Sequence, residues 1–313
     1  MTDISNMHDD YKKVPSFTLP FGRVASWLLN LFLKFDQWRK CRNPGPGVTV
    51  EKEVLQGTDG SQFKALVMRP TDATEPLPVM LYYHGGAFSL SYASMHHLSC
   101  QRYALEANCL VVLVDYRLGP KHVFPLGFND CFDTRQWVVD NAQRLQADAS
   151  RIVVMGDSAG GAMAAGVAQR ALDEGNPVQG QVLIYPVLDC ECKTTSATEF
   201  ESVPVFTAES NRRMWQMYLG DRLTGNVPEY AAAGLRADLK DLPMTYLETA
   251  QYDPLRDEGI DYAQRLLSAG VNVELNSTQG TVHGYELAAD NPVVADSMLR
   301  RIAALRRLFA ASA

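Results

Sequence analysis

Ile152-Val153-Val154-Met155-Gly156-Asp157-Ser158-Ala159-Gly160-Gly161 decides the fold, because here a short apolar run passes through a glycine-flanked serine straight into a helical pattern. Four consecutive apolar residues read as a strand covered on both faces, and Ala159 to Leu172 reads as a helix. A serine between the two is forced through a tight turn that lifts its hydroxyl above the sheet. Side chains at the flanking positions would collide with neighbouring backbone, which is why glycines stand there. The helix start also aims N–H groups and the positive end of its dipole at any negative oxygen formed beside the serine.

Outward from this stretch the same alternation repeats. Val79 to Tyr83, Leu110 to Val114, Val182 to Tyr185, Met244 to Thr249 and Val271 to Leu275 are further apolar runs. They alternate with predicted helices at His97 to Ala107, Phe128 to Gln143, Asp257 to Ala269 and Pro292 to Phe309. Buried strands joined by crossover helices imply a mostly parallel sheet with helices on both faces. Before it, Val48 to Leu55 and Phe63 to Met68 flank the turn Thr58-Asp59-Gly60 and predict an antiparallel hairpin at a sheet edge. Gly270 is placed to stop the helix that ends at Ala269.

The expected division is an N-terminal cap segment over 1–45, a first part of the core over 46–190, a cap insertion over 191–233 and a second part of the core over 234–313. The insertion is longer than a crossover needs and should hold a helix around Glu209 to Tyr218. Long insertions in such sheets tend to lie over the carboxyl ends of the strands, where ligands bind. Val24 to Phe35 has the pattern of an amphipathic helix. A helix packed on the domain is preferred for it, ahead of a mobile lid and then a membrane-surface anchor.

A serine hydroxyl becomes a nucleophile when an imidazole takes its proton and a carboxylate orients that imidazole. Of the six histidines, His283 alone follows Ser158, in Thr281-Val282-His283-Gly284-Tyr285. The other five include His84, expected to brace its loop by hydrogen bonds, and His8, His96, His97 and His122, expected at surface or helix positions. Asp253, just past the run Met244 to Thr249, is the preferred acid; Asp257, four residues on at a helix start, is the rival and suits helix capping better. Gly85 and Gly86 in Tyr82-Tyr83-His84-Gly85-Gly86-Ala87-Phe88, with Ala159, are the expected backbone donors to a developing oxyanion.

The remaining numbers mostly exclude. The chain has 313 residues, 46% hydrophobic and 21% charged, as in one large globular domain. A net charge of −7 offers no positive field for a phosphate backbone, so no nucleic acid partner is expected. No apolar run approaches the roughly 20 residues of a membrane span. Met1 to Lys13 lacks the pattern of a secretory signal, which predicts a cytoplasmic protein. The six cysteines lack a disulfide-scaffold spacing, and Cys190-Glu191-Cys192 has no second ligand pair nearby, so no metal is called for.

Five blocks in order resemble the hormone-sensitive lipase family of esterases and lipases within the α/β-hydrolases. They are His84-Gly85-Gly86; Asp115-Tyr116-Arg117-Leu118-Gly119-Pro120 with Phe124-Pro125; Gly156 to Gly161; Asp253-Pro254-Leu255-Arg256-Asp257; and His283-Gly284. The resemblance spans about residues 78 to 287. It implies an α/β-hydrolase fold with a helical cap and a cofactor-free serine esterase for small or medium acyl esters, with Ser158, Asp253 and His283 as its triad and Gly85, Gly86 and Ala159 around the oxyanion. It also implies that Asp115 and Arg117 are structural. Two positions depart from the pattern: Ala87 stands where many relatives have a third glycine, and Lys121 where a glutamate is common. An amidase, a thioesterase or a lipase of the same fold stays open, as does a non-catalytic small-molecule receptor, though such receptors tend to have lost the histidine. Phe88, Tyr185, Phe206, Trp215 and Tyr285 are candidate pocket residues. The partner expected is a small ester, and a homodimer is left open.

Overall fold

A computed structural model describes residues 3–16 and 21–311. Residues 1–2 and 17–20 of the expected N-terminal cap, and 312–313, lie outside the described residues. In chain order the elements are α1 (Asp9–Lys12), α2 (Arg23–Lys40), β1 (Val48–Gln56), β2 (Gln62–Pro70), β3 (Leu77–Tyr83), α3 (Ser94–Ala107), β4 (Leu110–Asp115), α4 (Leu126–Asp140), α5 (Ala142–Leu145), β5 (Ala147–Asp157), α6 (Ala159–Asp173), β6 (Gly180–Ile184), α7 (Thr195–Glu199), α8 (Ala208–Leu219), β7 (Met244–Tyr252), α9 (Arg256–Ser268), β8 (Val273–Val282) and α10 (Pro292–Ala310).

The strands form one eight-stranded sheet in the order β1-β2-β4-β3-β5-β6-β7-β8. β1 and β2 make the expected antiparallel hairpin at the edge, β2 is antiparallel to β4, and every later pairing is parallel. Side chains of a strand alternate between faces, and here both faces are covered. Val79, Leu81 and Tyr83 of β3 pack with the buried faces of α4, α6 and α9, whereas Met80 and Tyr82 pack with α3 and α10. Burying a single Val or Leu contributes about 1.5–3 kcal/mol, so these two layers carry the fold.

Several boundaries differ from expectation for local reasons. The helix expected to run from Phe128 to Gln143 breaks at Asn141, whose side-chain amide donates to the Trp137 carbonyl and competes with the helical pattern. α3 starts at Ser94, earlier than expected, because the His96 ring accepts the Ala93 N–H at 2.7 Å and closes the helix start. α7 went unread; it is five residues long and begins where the Thr194 hydroxyl accepts the Ala197 N–H. β8 continues to Val282, which brings the next residue, His283, to the end of the sheet. Gly270, at φ +85°, takes up the left-handed turn expected after α9.

α2 packs on the domain with the opposite face to the one its amphipathic pattern suggests. Asn30 donates to the Ser89 carbonyl at 2.9 Å and accepts the Ser91 N–H at 2.7 Å, while Asp36 accepts the Ser94 hydroxyl at 2.6 Å. These polar groups face the body of the protein. Leu29 and Leu33 are half-buried beside them, whereas Val24, Trp27, Leu28, Leu31, Phe32, Phe35 and Trp38 are exposed.

Candidate active site

Ser158 holds φ 55° and ψ −120° between β5 and α6. Two backbone bonds clamp it there: its N–H donates to the Ile184 carbonyl at 2.9 Å, and its own carbonyl accepts the Val187 N–H at 3.1 Å. The glycines are required by close approach. A Cβ on Gly160 would strike the Tyr83 carbonyl, and one on Gly156 would strike the Gly160 carbonyl. The turn thus presses strand, helix start and neighbouring strand together, and the serine side chain is left as the group that projects.

His283 stands at the end of β8, with Nε2 2.8 Å from Ser158 Oγ and Nδ1 2.7 Å from Asp253 Oδ2. All three residues are buried, Asp253 completely. The other carboxylate oxygen of Asp253 accepts the Leu255 N–H at 2.9 Å, which fixes the carboxylate in the turn between β7 and α9. With Nδ1 facing a carboxylate, the imidazole proton lies on that nitrogen, and Nε2 presents its lone pair to the serine hydroxyl. The rival Asp257 is engaged elsewhere, accepting the Ser196 N–H and pairing with Arg256 at the start of α9. The structure therefore brings together Ser158, Asp253 and His283 and leaves Asp257 aside.

The glycine loop differs from expectation at one donor. The Gly85 N–H is already donated to Asp157 Oδ1 at 3.0 Å, so it is not available to an oxyanion. The N–H groups of Gly86, Ala87 and Ala159 make no hydrogen bond among the described residues. Ala87 and Phe88 both have positive φ, 51° and 56°, so the alanine holds a left-handed conformation that a glycine would take without strain. His84 braces this loop as expected. Its Nδ1–H faces the Gly85 carbonyl at 2.7 Å, its ring stacks on Tyr116 at 4.4 Å, and its carbonyl accepts the Tyr116 hydroxyl at 2.7 Å. Burial, helped by the neighbouring His96, pushes the His84 pKa down to about 4, so the ring is neutral.

Behind the serine lies a cluster that the sequence did not reveal. Asp157 accepts the Tyr82 hydroxyl at 2.7 Å, the Gly85 N–H, and His96 Nε2 at 3.2 Å. Burial works against its charge, but His96, Tyr82 and the Gly85 N–H outweigh it and hold the carboxyl well below the usual range. His96 takes one of the expected helix positions, in the first turn of α3, but its side chain is buried there and ties α3 to the elbow. Sequence offers no signal for it, since the two partners are 61 residues apart on unrelated elements.

Asp115 and Arg117 do not pair with each other. Arg117 forks onto buried Asp130 and reaches Asp59 of the hairpin turn, and Asp115 accepts the Ser91 hydroxyl at 3.3 Å. Lys121 forms no ion pair among the described residues, and the loop is held by Arg117 instead. Of the candidate pocket residues, Tyr185 and Phe206 lie against the His283 ring at 4.8 and 4.7 Å between centroids. Phe88 stacks on Tyr218 at 3.7 Å, Trp215 is fully buried, and Tyr285 joins a charged cluster behind the sheet, so these three pack the interior.

The family model described as the alpha/beta hydrolase fold matches residues 80–287. The chain belongs to the alpha/beta hydrolase fold family. This α/β-hydrolase is 39% identical to the esterase LipI of Mycobacterium tuberculosis (strain H37Rv) over 83% of its own length and 82% of that relative. It is 38% identical to the carboxylesterase NlhH of the same species, over 84% and 83% of the two chains. Among solved structures, a bacterial heroin esterase superposes with a TM-score of 0.91 at 34% identity, covering 99% of this chain and 100% of that one. Esterase LipW from Mycobacterium marinum superposes at 0.89 with 33% identity and 98% coverage of both. The eight-stranded, mostly parallel sheet is thus the hydrolase sheet, and no helix among the described residues is long and apolar enough to cross a membrane.

Proposed function

We propose that this α/β-hydrolase is a serine carboxylesterase that cleaves short- to medium-chain acyl esters of small molecules through an acyl-enzyme on Ser158. The observation that carries the reading is the continuous relay from Asp253 to His283 to Ser158, at 2.7 and 2.8 Å. His283 Nε2 takes the hydroxyl proton as Ser158 Oγ attacks the ester carbonyl carbon, and Asp253 stabilises the imidazolium that forms. The carbonyl oxygen becomes an oxyanion beside the N–H groups of Gly86, Ala87 and Ala159, with Ala87 taking the place expected of Gly85. Collapse of the tetrahedral species breaks the bond to the alcohol oxygen, which leaves with the proton from His283. Water, deprotonated by the same nitrogen, then attacks the acyl carbon; as the bond from that carbon to Ser158 Oγ breaks, His283 returns the proton to Ser158 and the acid is released.

The esterase and carboxylesterase names of the relatives support the choice of an oxygen leaving group. Tyr185 and Phe206, set against His283, suit a compact apolar acyl group. The N-terminal helices and 191–233, which holds α7 and α8, are proposed as the cap over this centre. Aryl esters graded from acetyl to dodecanoyl test the reading: turnover should peak at short to medium acyl chains in the native protein and be lost in Ser158→Ala. A maximum on dodecanoyl would refute the chain-length assignment, and turnover in the variant would refute the mechanism.

A further inference from the structure

The exposed face of α2 matches no role in ester cleavage. Val24, Trp27, Leu28, Leu31, Phe35 and Trp38 recur at helical spacing on one stripe with Phe32 beside it, and each is between 53% and 73% exposed. At about 100° per residue they occupy an arc of about 140°. Folded domains rarely display so continuous an apolar patch without a partner. The helix has no freedom to roll it inward, because the opposite face is fixed: Asn30 binds Ser89 and Ser91, Gln37 donates to the Tyr92 carbonyl, and Asp36 accepts the Ser94 hydroxyl.

Charge identifies the partner. Between residues 21 and 42 there are five cationic side chains, Arg23, Lys34, Arg39, Lys40 and Arg42, against one acid, Asp36, in a chain whose net charge is −7. All five are exposed, whereas the Asp36 side chain is only 15% exposed and is shared between Arg39 and Lys40. By helical angle Arg23 and Lys34 border the stripe beside Trp27, and Arg39 lies near its other edge, between Leu28 and Phe32. A second copy seated on this face by two-fold symmetry would set the same cations against one another. An anionic lipid surface would instead receive the tryptophans and phenylalanines at headgroup depth and the cations among its phosphates. We propose that α2 docks the protein on the surface of a membrane containing anionic lipid, lying in the interface without crossing it.

The test is sedimentation of the full chain with vesicles of phosphatidylcholine alone or mixed with phosphatidylglycerol. Binding is read without an ester, so it stands or falls independently of the Ser158 chemistry. The protein should pellet with the anionic vesicles, lose that binding as salt is raised, and barely pellet with neutral ones. Phe32→Gln with Phe35→Gln, and separately Lys34→Gln with Arg39→Gln, should each weaken binding about tenfold or more, with circular dichroism unchanged because all four side chains point to solvent. No binding to anionic vesicles at low salt, equal binding to neutral ones, or undiminished binding by either double variant would overturn the proposal. So would a dimer in light scattering that the phenylalanine variant dissolves while vesicles go unbound, which would assign the face to a second copy.

Discussion

Ser158 is held at φ 55° in a backbone region that costs a side-chain-bearing residue about 1–3 kcal/mol, and its own backbone bonds to Ile184 and Val187 are backed by the polar contacts of its neighbours. Asp157 is central among these, since one carboxylate joins Tyr82, the Gly85 N–H and His96. Asp157→Asn should loosen the glycine loop without touching the ester, so kcat should fall about 10- to 100-fold while KM changes little; a kcat within twofold of native would contradict this positioning role. His84 makes a pH prediction. Its folded pKa of about 4 lies below the ordinary value near 6.5, so the unfolded chain takes up a proton first as pH falls. The stability held by neutral His84 is complete above about pH 6.5 and should decline by about 3 kcal/mol as pH approaches 4. In urea titrations His84→Asn should lack this share of the acid loss, and parallel pH curves for the two proteins would contradict it. At this scale the sequence is legible where chemistry demands a residue type just after an apolar run, as at Ser158, Asp253 and His283. It is silent on Asp157 and His96, whose bond crosses between elements with no periodic trace, and on the Gly85 N–H, which only the loop geometry shows to be occupied.

Elements were legible where burial imposes a pattern. β3, β4, β6 and β5 from 152 onward are covered on both faces and read as apolar runs, whereas the polar, partly exposed start of β5 at 147–151 left no such trace, and the small-residue face of α6 follows from its close approach to the sheet. Local chemistry set what the pattern could not, as at Asn141 and Thr194. The junction of β5 and α6 has the least room. Gly160→Ala would drive a methyl group into the Tyr83 carbonyl, an atom held in the sheet, and should destabilise the fold by about 3 kcal/mol or more. Urea midpoints test this, and an unchanged midpoint would show that the junction can relax. The orientation of α2 was illegible for the opposite reason: its apolar stripe suggested burial, and the hydrogen bonds that turn the stripe outward come from the loop at 89–94.

Across the whole molecule, β7, the turn after His283 and α10 are locked by one buried charged cluster. Arg301, 4% exposed in its side chain, pairs with Glu248 and Glu286, while Tyr285 donates to Glu248 and Tyr185 to Glu286. Arg301→Met would strand two carboxylates and should destabilise the protein by about 3–5 kcal/mol, part of which Glu248→Gln in the same chain should restore. A loss under about 1 kcal/mol by urea unfolding would show the cluster to be dispensable. Nothing in the sequence pairs residues 248, 286 and 301, because a buried arginine in an amphipathic helix has the same pattern as an exposed one.

The central claim concerns Ser158 as the group that becomes acylated, and covalent capture tests it most directly. Treated with an aryl phosphonate ester and digested, the native protein should carry one adduct, mapped by mass spectrometry to Ser158. Labelling should be absent in Ser158→Ala and slowed by orders of magnitude in His283→Gln. An adduct on another residue, or ester turnover in Ser158→Ala comparable to native, would contradict the account.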